Sequence, residues 1–261
     1  MHTSRTRAGA VGVLVAVAFV ASAAAEIPDL SGTWAMVQVF PQIAILPIAG
    51  EVPRSSTVAQ FVEIEQAGTS LAMHDRYCFT IVNDGTLLVT TEIPDAFMRS
   101  LAPTTRSAVL VAQTASLRFE SSTYVEVRGA TLDDPADPLP TDPDDPRVVD
   151  QDGDGHPGMT VRVTILGILE GETYVVQRVS YRLSGLVVGP DRIEGTIEWS
   201  DEQTTLGATN PLLESNTVGT LNPDPAAHRF VMIRVDETWT CETLRERLAD
   251  LLGTADSESA G

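Results

Sequence analysis

Short runs of β-forming residues recur along nearly the whole chain, whereas only two stretches have helical periodicity. In residues 58–65, for example, Val58, Val62 and Ile64 fall on one face of an extended chain, the period-two pattern of a strand. The same pattern predicts strands at 33–40, 58–65, 71–82, 86–93, 107–113, 116–119, 123–128, 159–169, 172–183, 191–199 and 228–235. About ten strands without long helices between them predict an antiparallel all-β fold.

Turn-forming residues separate several of these runs. Asn83-Asp84-Gly85 predicts a tight turn from which the chain returns, and Glu170-Gly171 predicts a hairpin turn. No repeat of fixed length runs through the chain, which counts against a propeller or a solenoid. We therefore expect a single antiparallel β-barrel of about ten strands, and the pattern leaves a β-sandwich open as the alternative.

The two helical stretches are residues 95–101, which lie between prolines, and residues 240–252. In the second, leucines recur at helical spacing, Thr240 can cap the first turn and Gly253 can end the helix. We expect one C-terminal α-helix that packs its leucine stripe against the sheet.

The first 25 residues have the composition of a secretory signal peptide. Arg5 and Arg7 precede an apolar run at 8–20, and the small residues at 21–25 suit cleavage before Glu26. An uncleaved membrane anchor is the alternative, but the run is shorter than the ~20 residues that a spanning helix needs. The predicted organisation is a signal peptide at 1–25, a β-barrel domain at 26–252 and a disordered tail at 253–261, in a secreted or periplasmic protein.

The chain is strongly acidic, with a formal net charge of −19 that becomes more negative when Arg5 and Arg7 are removed. Nucleic acid is excluded as a partner because phosphate contacts need a basic surface. Acidic lipid headgroups are disfavoured for the same reason, and no other segment could span a bilayer as a helix, so the mature protein is not expected to be an integral membrane protein. All basic residues are arginine, which indicates codon bias in a high-GC bacterium.

Cys78 and Cys241 are the only cysteines of the chain. Two cysteines in a secreted protein favour one disulfide, and its long loop would give it a large entropic effect on the unfolded state. The alternative is two separate buried thiols.

Residues 130–158 form an acidic insertion that differs from everything around it. Nine aspartates and six prolines lie between 133 and 157, so neither a strand nor a helix can persist there. Within it, carboxylates alternate at Asp150, Asp152 and Asp154, with Gly153 and Gly155 interspersed. Such spacing lets side chains converge on a hard cation while the glycines allow the backbone to turn, and it predicts calcium. The alternative is a disordered, solvated acidic loop.

This segment resembles part of an EF-hand calcium loop, because its carboxylates and the glycine after them fall at the first, third, fifth and sixth positions of that loop. The resemblance implies that the next residue, His156, contributes its backbone carbonyl. The predicted metal ligands are therefore Asp150, Asp152, Asp154 and His156.

The resemblance then ends. Val161 stands where an EF-hand has a bidentate glutamate, Pro157 opposes a following helix, and flanking helices are not expected. A complete EF-hand is excluded, so other oxygens must come from Asp144, Asp145 or water. The expected affinity is that of extracellular calcium modules, about 10⁻⁴–10⁻³ M.

Gly32-Thr33-Trp34 opens the mature domain. A Gly-x-Trp motif on the first strand of a secreted chain resembles the start of the lipocalins. This resemblance implies a barrel closed at one end by Trp34, an arginine of the last strand (Arg229 or Arg234) packed over it, a C-terminal helix, and a small apolar ligand. A bond between Cys78 and Cys241 would also resemble many lipocalins. The chain departs from that family in lacking a second motif and in its length.

The sequence contains no convincing catalytic motif, and we assign no catalytic residue. His74 and Asp75 are adjacent on a strand and so point to opposite faces. Glu194 and Glu198 could serve glycoside chemistry as paired carboxylates, but a solvated sheet face explains them as well.

Three functions are consistent with these sequence features. The first is a secreted bacterial β-barrel that binds a small apolar ligand and has a calcium-stabilised loop. The second is an extracellular glycan-acting enzyme with structural calcium, and the third is a calcium-dependent adhesion or structural module. We favour the first, which is not an enzyme.

Overall fold

The computed structural model describes residues 27–46, 50–214 and 219–253. The predicted signal peptide at 1–25 lies outside the described residues, and so does the predicted tail beyond Gly253. Among the described residues, no helix is long and apolar enough to cross a membrane.

The fold is all-β, with 58% strand and 11% helix. Its strands are β1 (Gly32–Leu46), β2 (Gly50–Ala67), β3 (Ser70–Asn83), β4 (Val89–Glu92), β5 (Thr104–Ala112), β6 (Leu117–Ser121), β7 (Tyr124–Arg128), β8 (Met159–Ile165), β9 (Leu169–Gly189), β10 (Arg192–Ala208), β11 (Gly219–Leu221) and β12 (Arg229–Arg234). Its α-helices are α1 (Asp95–Ser100), α2 (Cys241–Glu246) and α3 (Leu248–Leu252), and short 3₁₀ helices lie at Pro211–Leu213 and Pro225–Ala227.

All strands belong to one antiparallel sheet, and eight of them pair in a ring in the order β9, β10, β12, β1, β2, β3, β5, β6 and back to β9. The pairing is long between β1 and β2, from Gly32↔Ile64 to Leu46↔Gly50. It is short between β6 and β9, where three residue pairs close the ring. The other strands extend the sheet, since β7 and β8 pair with β9, β4 pairs with β8, and β11 pairs with β1. The predicted antiparallel all-β class is confirmed.

Alternate residues of the ring strands form the main core. On β1, Trp34 and Met36 are fully buried, and on β12 Phe230 and Met232 are too. They belong to one hydrophobic cluster to which all eight ring strands contribute. The period-two alternation of the sequence therefore separates the inner face of the ring from its outer face.

A smaller core lies on the outer face of β1, β2 and β3. There Val37, Phe61 and Phe79 pack against Leu244 of α2 and Leu251 of α3. The predicted leucine stripe is confirmed, but the single helix predicted at 240–252 is wrong.

Two short helices meet at Arg247, whose φ of −93° and ψ of 2° leave the α-helical region. Thr240 caps the first of them by accepting a hydrogen bond from the Thr243 amide at 3.2 Å. Cys78 on β3 and Cys241 on α2 form a disulfide, as the cysteine count favoured, which attaches this helical segment covalently to the sheet. A disulfide is compatible with an extracellular or periplasmic location.

The arginine contact expected at the first strand is present. The Arg234 guanidinium carbon lies 4.9 Å from the centroid of the Trp34 ring. Arg234 also donates to the Asp29 carbonyl at 2.7 Å and to Asp191 at 2.9 Å, which fixes it at the end of the ring. The other candidate, Arg229, instead donates to the Leu252 carbonyl at 3.1 Å.

Two predicted turns differ from the structure. The chain does turn at Asn83, whose side chain accepts from the Gly85 amide at 2.9 Å, but β4 pairs with β8 instead of returning along β3. The hairpin predicted at Glu170-Gly171 lies four residues earlier, at Leu166-Gly167-Ile168, and both predicted turn residues are paired within strands.

Gly171 has another role than turning. A Cβ atom at this position would lie 2.5 Å from Leu213 Cδ1, so the glycine permits the 3₁₀ helix at Pro211–Leu213 to approach β9. This close approach explains why a glycine stands in a strand, where it resembles a turn signal in the sequence.

Candidate metal centre and ring interior

The acidic insertion follows a path fixed by its own aspartates. Asp134, Asp142 and Asp145 each accept a hydrogen bond at 2.9 Å from the amide two residues further on. These side chains supply the hydrogen bonds of the turns in the insertion. The prolines of the insertion cannot do so, because proline has no amide hydrogen to donate. Arg178 of β9 donates to the carbonyls of Pro135 and Asp137, both at 2.7 Å, and so attaches the insertion to the sheet.

Within the insertion, three carboxylates converge. Asp150, Asp152 and Asp154 each offer an oxygen that lies within 4.8 Å of the other two. Asp150 accepts from the amides of Gly153 at 2.8 Å and Gly155 at 2.9 Å, which wraps the loop around this side chain. Both glycines have positive φ, 71° and 89°, a conformation that other residues adopt at a cost.

Asp152 differs electrostatically from its neighbours. Its Oδ1 atom is buried and has no hydrogen-bond partner among the described residues. Burial raises the pKa of the Asp152 carboxyl, and the charges of Asp154 and Asp150 raise it further. A cation at this position would remove both causes, because it neutralises the charge and coordinates the buried oxygen. The three aspartates could therefore hold a metal ion.

The third carboxylate anchors the loop to the following strand. Asp154 accepts from the Thr160 hydroxyl at 2.5 Å and from the His156 amide at 2.9 Å. The His156 imidazole stacks on Tyr174 of β9, with ring centroids 4.3 Å apart and an interplanar angle of 12°. The side chain of His156 thus serves packing, and the contribution of its carbonyl to a metal site stays a prediction.

The two further ligands considered from the sequence do not join this group. Asp145 binds Arg147 through its side chain, which lowers the pKa of the Asp145 carboxyl to about 2. Asp144 is exposed and lies outside the group of converging carboxylates. Additional oxygens would have to come from the loop backbone or from water.

A second polar feature lies inside the ring, where the sequence pattern predicts apolar residues. Six side chains there are at most 4% exposed, namely Gln38, Gln60, Asp75, Tyr77, Arg106 and Tyr181. We call this set the polar layer. Its members come from five different strands, β1, β2, β3, β5 and β9, so the sequence does not show that they meet. The available signal is a polar residue on an otherwise apolar face, such as Gln60 between Val58 and Val62.

Charges in the polar layer are paired. Arg106 Nη2 donates to Asp75 Oδ1 at 3.2 Å, and Arg106 Nε lies 2.6 Å from Asp75 Oδ2 without the alignment of a hydrogen bond. The guanidinium carbon of Arg106 lies 5.4 Å from the Tyr181 ring centroid. Burial raises the pKa of the Asp75 carboxyl and outweighs the opposing effect of Arg106.

A hydrogen-bonded chain leads outwards from the polar layer. Tyr77 donates to Glu126, and Glu126 forms an ion pair with Arg128. Arg128 in turn donates to Gln177 at 3.3 Å, and Gln177 donates to Asp201 at 3.0 Å. Polar groups therefore connect the buried interior with Asp201, an exposed residue in the middle of β10.

Several atoms of the polar layer lack a hydrogen-bond partner among the described residues. Apart from Arg106 Nε and Asp75 Oδ2, which contact each other, they are Gln38 Nε2, Arg106 Nη1, the Tyr181 hydroxyl and both amide atoms of Gln60. Gln60 lies near enough to Asp75 to lower the pKa of its carboxyl, but no bond of good geometry forms. Buried polar groups of this kind contribute to stability only when they find partners.

The residues weighed for catalysis are not brought together. Glu194 pairs with Arg192 at 2.8 Å and Glu198 pairs with Arg182 at 3.0 Å. Four residues along a strand span about 13 Å, which exceeds the carboxyl separations of glycoside hydrolases. Glu198 lines a surface cleft of about 390 Å³, and Glu194 does not.

His74, which was considered for catalysis, and His228 both have structural partners. His74 lies 3.0 Å from the Thr105 hydroxyl. His228 accepts from the Trp199 indole at 2.7 Å, and its other nitrogen lies 2.7 Å from the Asn222 carbonyl. With one nitrogen accepting and the other donating, the His228 ring is held in one tautomer.

Comparison of the chain with protein-family models, with curated proteins and with solved structures found no match in any of the three. The likenesses to lipocalins and to EF-hand loops therefore rest on the few residues that carry them.

Proposed function

We propose that the protein is a secreted or periplasmic β-barrel that acts by binding and not by catalysis, with calcium held in its acidic insertion. The observation that carries this proposal is the convergence of Asp150, Asp152 and Asp154, one of whose oxygens is buried without a partner. The barrel part is supported by the ring of eight paired strands around one hydrophobic cluster.

The chemistry of the donor set favours calcium over other cations. All three side chains offer carboxylate oxygens, whereas zinc prefers nitrogen and sulfur ligands. Magnesium demands near-ideal octahedral geometry and releases its waters reluctantly. A loop that adds backbone carbonyls and water to three carboxylates suits the larger, more variable coordination shell of calcium.

Calcium in this position would order the insertion. Asp154, the last of the three aspartates, lies five residues before Met159 of β8 and already accepts a hydrogen bond from Thr160 of that strand. A cation would neutralise the repulsion between three carboxylates and fix the loop that Arg178 attaches to β9. This role is structural, since none of the residues weighed for catalysis lies in the loop.

The first prediction concerns calcium binding and the Asp152→Asn variant. Calorimetry and thermal unfolding of the mature protein should show calcium binding with stabilisation, about 2.7 kcal/mol when calcium is at 100 times its dissociation constant. Asp152→Asn should weaken calcium binding at least tenfold. It should also raise the melting temperature of the calcium-free protein, because it removes one of three repelling charges.

The matched control is Asp144→Asn, which removes the same charge from the same insertion outside the converging group. It should leave calcium affinity unchanged. An unchanged melting temperature of the wild-type protein in calcium and in EDTA, without a heat of binding, would contradict the metal site. Equal affinity for magnesium would contradict the choice of calcium.

The small ligand expected from the sequence stays a prediction, because buried side chains of the described residues occupy the interior of the ring. These side chains are apolar around Trp34 and Met232 but polar in the layer that holds Gln38, Arg106 and Tyr181. A ligand that reaches this layer must supply hydrogen-bond acceptors to the free donors of Arg106 and Gln38, so a purely apolar ligand suits only the first region. The glycan-acting enzyme and the adhesion module stay predictions that no particular contact favours.

A further inference from the structure

The most exposed large apolar side chains of the described residues occur on neighbouring turns. Leu87 is 100% exposed, Ile168 is 84% exposed and Leu212 is 72% exposed. They belong respectively to the segment before β4, to the turn between β8 and β9, and to the 3₁₀ helix after β10. Single exposed apolar residues are common on protein surfaces, but three such extremes in one region are not.

Hydrogen bonds bring these three segments together. The Leu166 amide donates to the Leu88 carbonyl at 2.7 Å, which joins the first segment to the β8–β9 turn. The Thr209 amide donates to the Glu172 carbonyl at 2.9 Å, which joins the third segment to the beginning of β9. We call the five exposed residues of this end the apolar tip: Leu87, Leu88, Leu166, Ile168 and Leu212.

Leu166 occupies a backbone conformation that does not suit leucine. Its φ is 54° and that of Gly167 is 67°, and the Ile168 amide donates to the Ile165 carbonyl at 3.1 Å. Asparagine or glycine is preferred at such a left-handed turn position, and a leucine there is an outlier. Its side chain is 55% exposed, so packing within the chain does not account for it. Outliers of this kind often mark a functional site.

The apolar tip also lacks charge, although 20% of all residues are charged. Residues 85–91, 163–169 and 203–213 contain no Asp, Glu or Arg. The nearest charges along the chain include Glu170 and Glu214, which directly follow two of these segments, and Arg162, which lies 3.3 Å from Glu92 and 3.6 Å from Glu172. The turns have no charged side chain that could pair with a charged partner, and the chain as a whole has a net charge of −19. A neutral surface therefore suits these turns better than a charged one.

We propose that the apolar tip inserts into the surface of a membrane built of zwitterionic lipids. Separate side chains on three projecting turns can each enter the headgroup boundary, and the carboxylates behind them stay in water. Anionic lipids are disfavoured because they repel an acidic protein. The peripheral contact adds to the binding and calcium roles proposed above and does not depend on either.

The test is co-sedimentation of the calcium-loaded mature protein with phosphatidylcholine vesicles. The wild-type protein should sediment with the vesicles, and Leu87→Ser/Ile168→Ser/Leu212→Ser should bind at least tenfold more weakly. The matched control is Val109→Ser/Val111→Ser/Val188→Ser, which removes three apolar side chains that are 43% to 50% exposed elsewhere on the sheet. This control should bind vesicles like the wild type.

Three results would overturn the proposal: no sedimentation of the wild-type protein with phosphatidylcholine vesicles, equal binding by the tip variant, or binding only to vesicles that contain phosphatidylglycerol. A dimer that light scattering detects in the wild type and not in the tip variant, without vesicle binding, would identify a second copy as the partner instead. Retention of the wild-type melting temperature in the tip variant shows that it is folded.

Discussion

Arg106 and Asp75 form an ion pair whose side chains are 1% and 0% exposed. Removing two charges from water is costly, and their attraction offsets this cost only in part. The raised pKa of the Asp75 carboxyl reflects that balance, because burial outweighs the effect of Arg106. We therefore expect the pair to fix the positions of neighbouring strands rather than to stabilise the fold strongly.

The second prediction is a double-mutant cycle on this pair. Arg106→Met and Asp75→Leu should each reduce the free energy of unfolding by about 3–5 kcal/mol, because each leaves one buried charge unpaired. The double variant should be more stable than either single variant, since it leaves no buried charge. Urea unfolding of all four proteins measures the cycle, and strictly additive losses would contradict the role of the pair.

The candidate metal site was predictable from the sequence to a large extent because its ligands are close in the chain. Asp150, Asp152 and Asp154 need only a local turn to converge, and Gly153 and Gly155 specify that turn. The polar layer could not be predicted in the same way. Arg106 and Tyr181 meet only because strand pairing brings β5 and β9 to the same ring.

At the level of elements, the disulfide is the contact with the clearest energetic consequence. It joins Cys78 of β3 to Cys241 of α2 across 163 residues of sequence. Most of the packing beneath α2 and α3 comes from a few side chains, among them Leu244 and Leu251. Such short helices are not stable alone, so the covalent bond and this packing hold them together.

The third prediction concerns the loss of this bond. Cys78→Ala/Cys241→Ala should lower the free energy of unfolding, with about 5 kcal/mol as the entropic ceiling for a loop of this length. Urea unfolding of the variant, with reduced wild-type protein as the control for the lost sulfur atoms, gives the value. If the free energy of unfolding fell by less than about 1 kcal/mol, the disulfide would restrict the conformational entropy of the unfolded chain only slightly.

Most of the elements followed the sequence pattern, and each failure has an identifiable cause. The predicted hairpin at Glu170-Gly171 was wrong because Gly171 accommodates Leu213 and does not turn the chain. The true turn contains Leu166, which no turn preference would select. The pairing of β4 with β8 depends on contacts 70 residues apart, as between Glu92 and Arg162, which local patterns cannot show.

At the scale of the whole molecule, the ring is unevenly held. The β9–β10 ladder runs from Arg192↔Gly189 to Ala208↔Thr173, whereas β6 and β9 share three residue pairs around Phe119↔Gly185. The free energy needed to unfold one segment of a protein locally depends on how many strand pairs and buried contacts hold that segment. The β6–β9 seam is therefore the expected place for the ring to open.

The fourth prediction follows from this unevenness. In native-state hydrogen exchange, peptides that cover β6 should exchange before peptides that cover residues 175–186 of β9, because fewer ladder bonds must break. Mass spectrometry of peptic peptides resolves both segments. Equal protection of the two would mean that the ring opens only as a unit.

The position of β12 in the ring has a consequence for the timing of folding. β12 lies between β1 and β10, and it begins at Arg229. If the chain were exported with its N-terminus first, β1 would be outside the membrane while β12, one of its two neighbours in the ring, was still inside. Hydrophobic strands would wait in an unclosed state until the last part of the chain emerged, and Cys241 would reach Cys78 later still. If the protein is exported as proposed, β1 therefore needs protection against premature pairing during translocation.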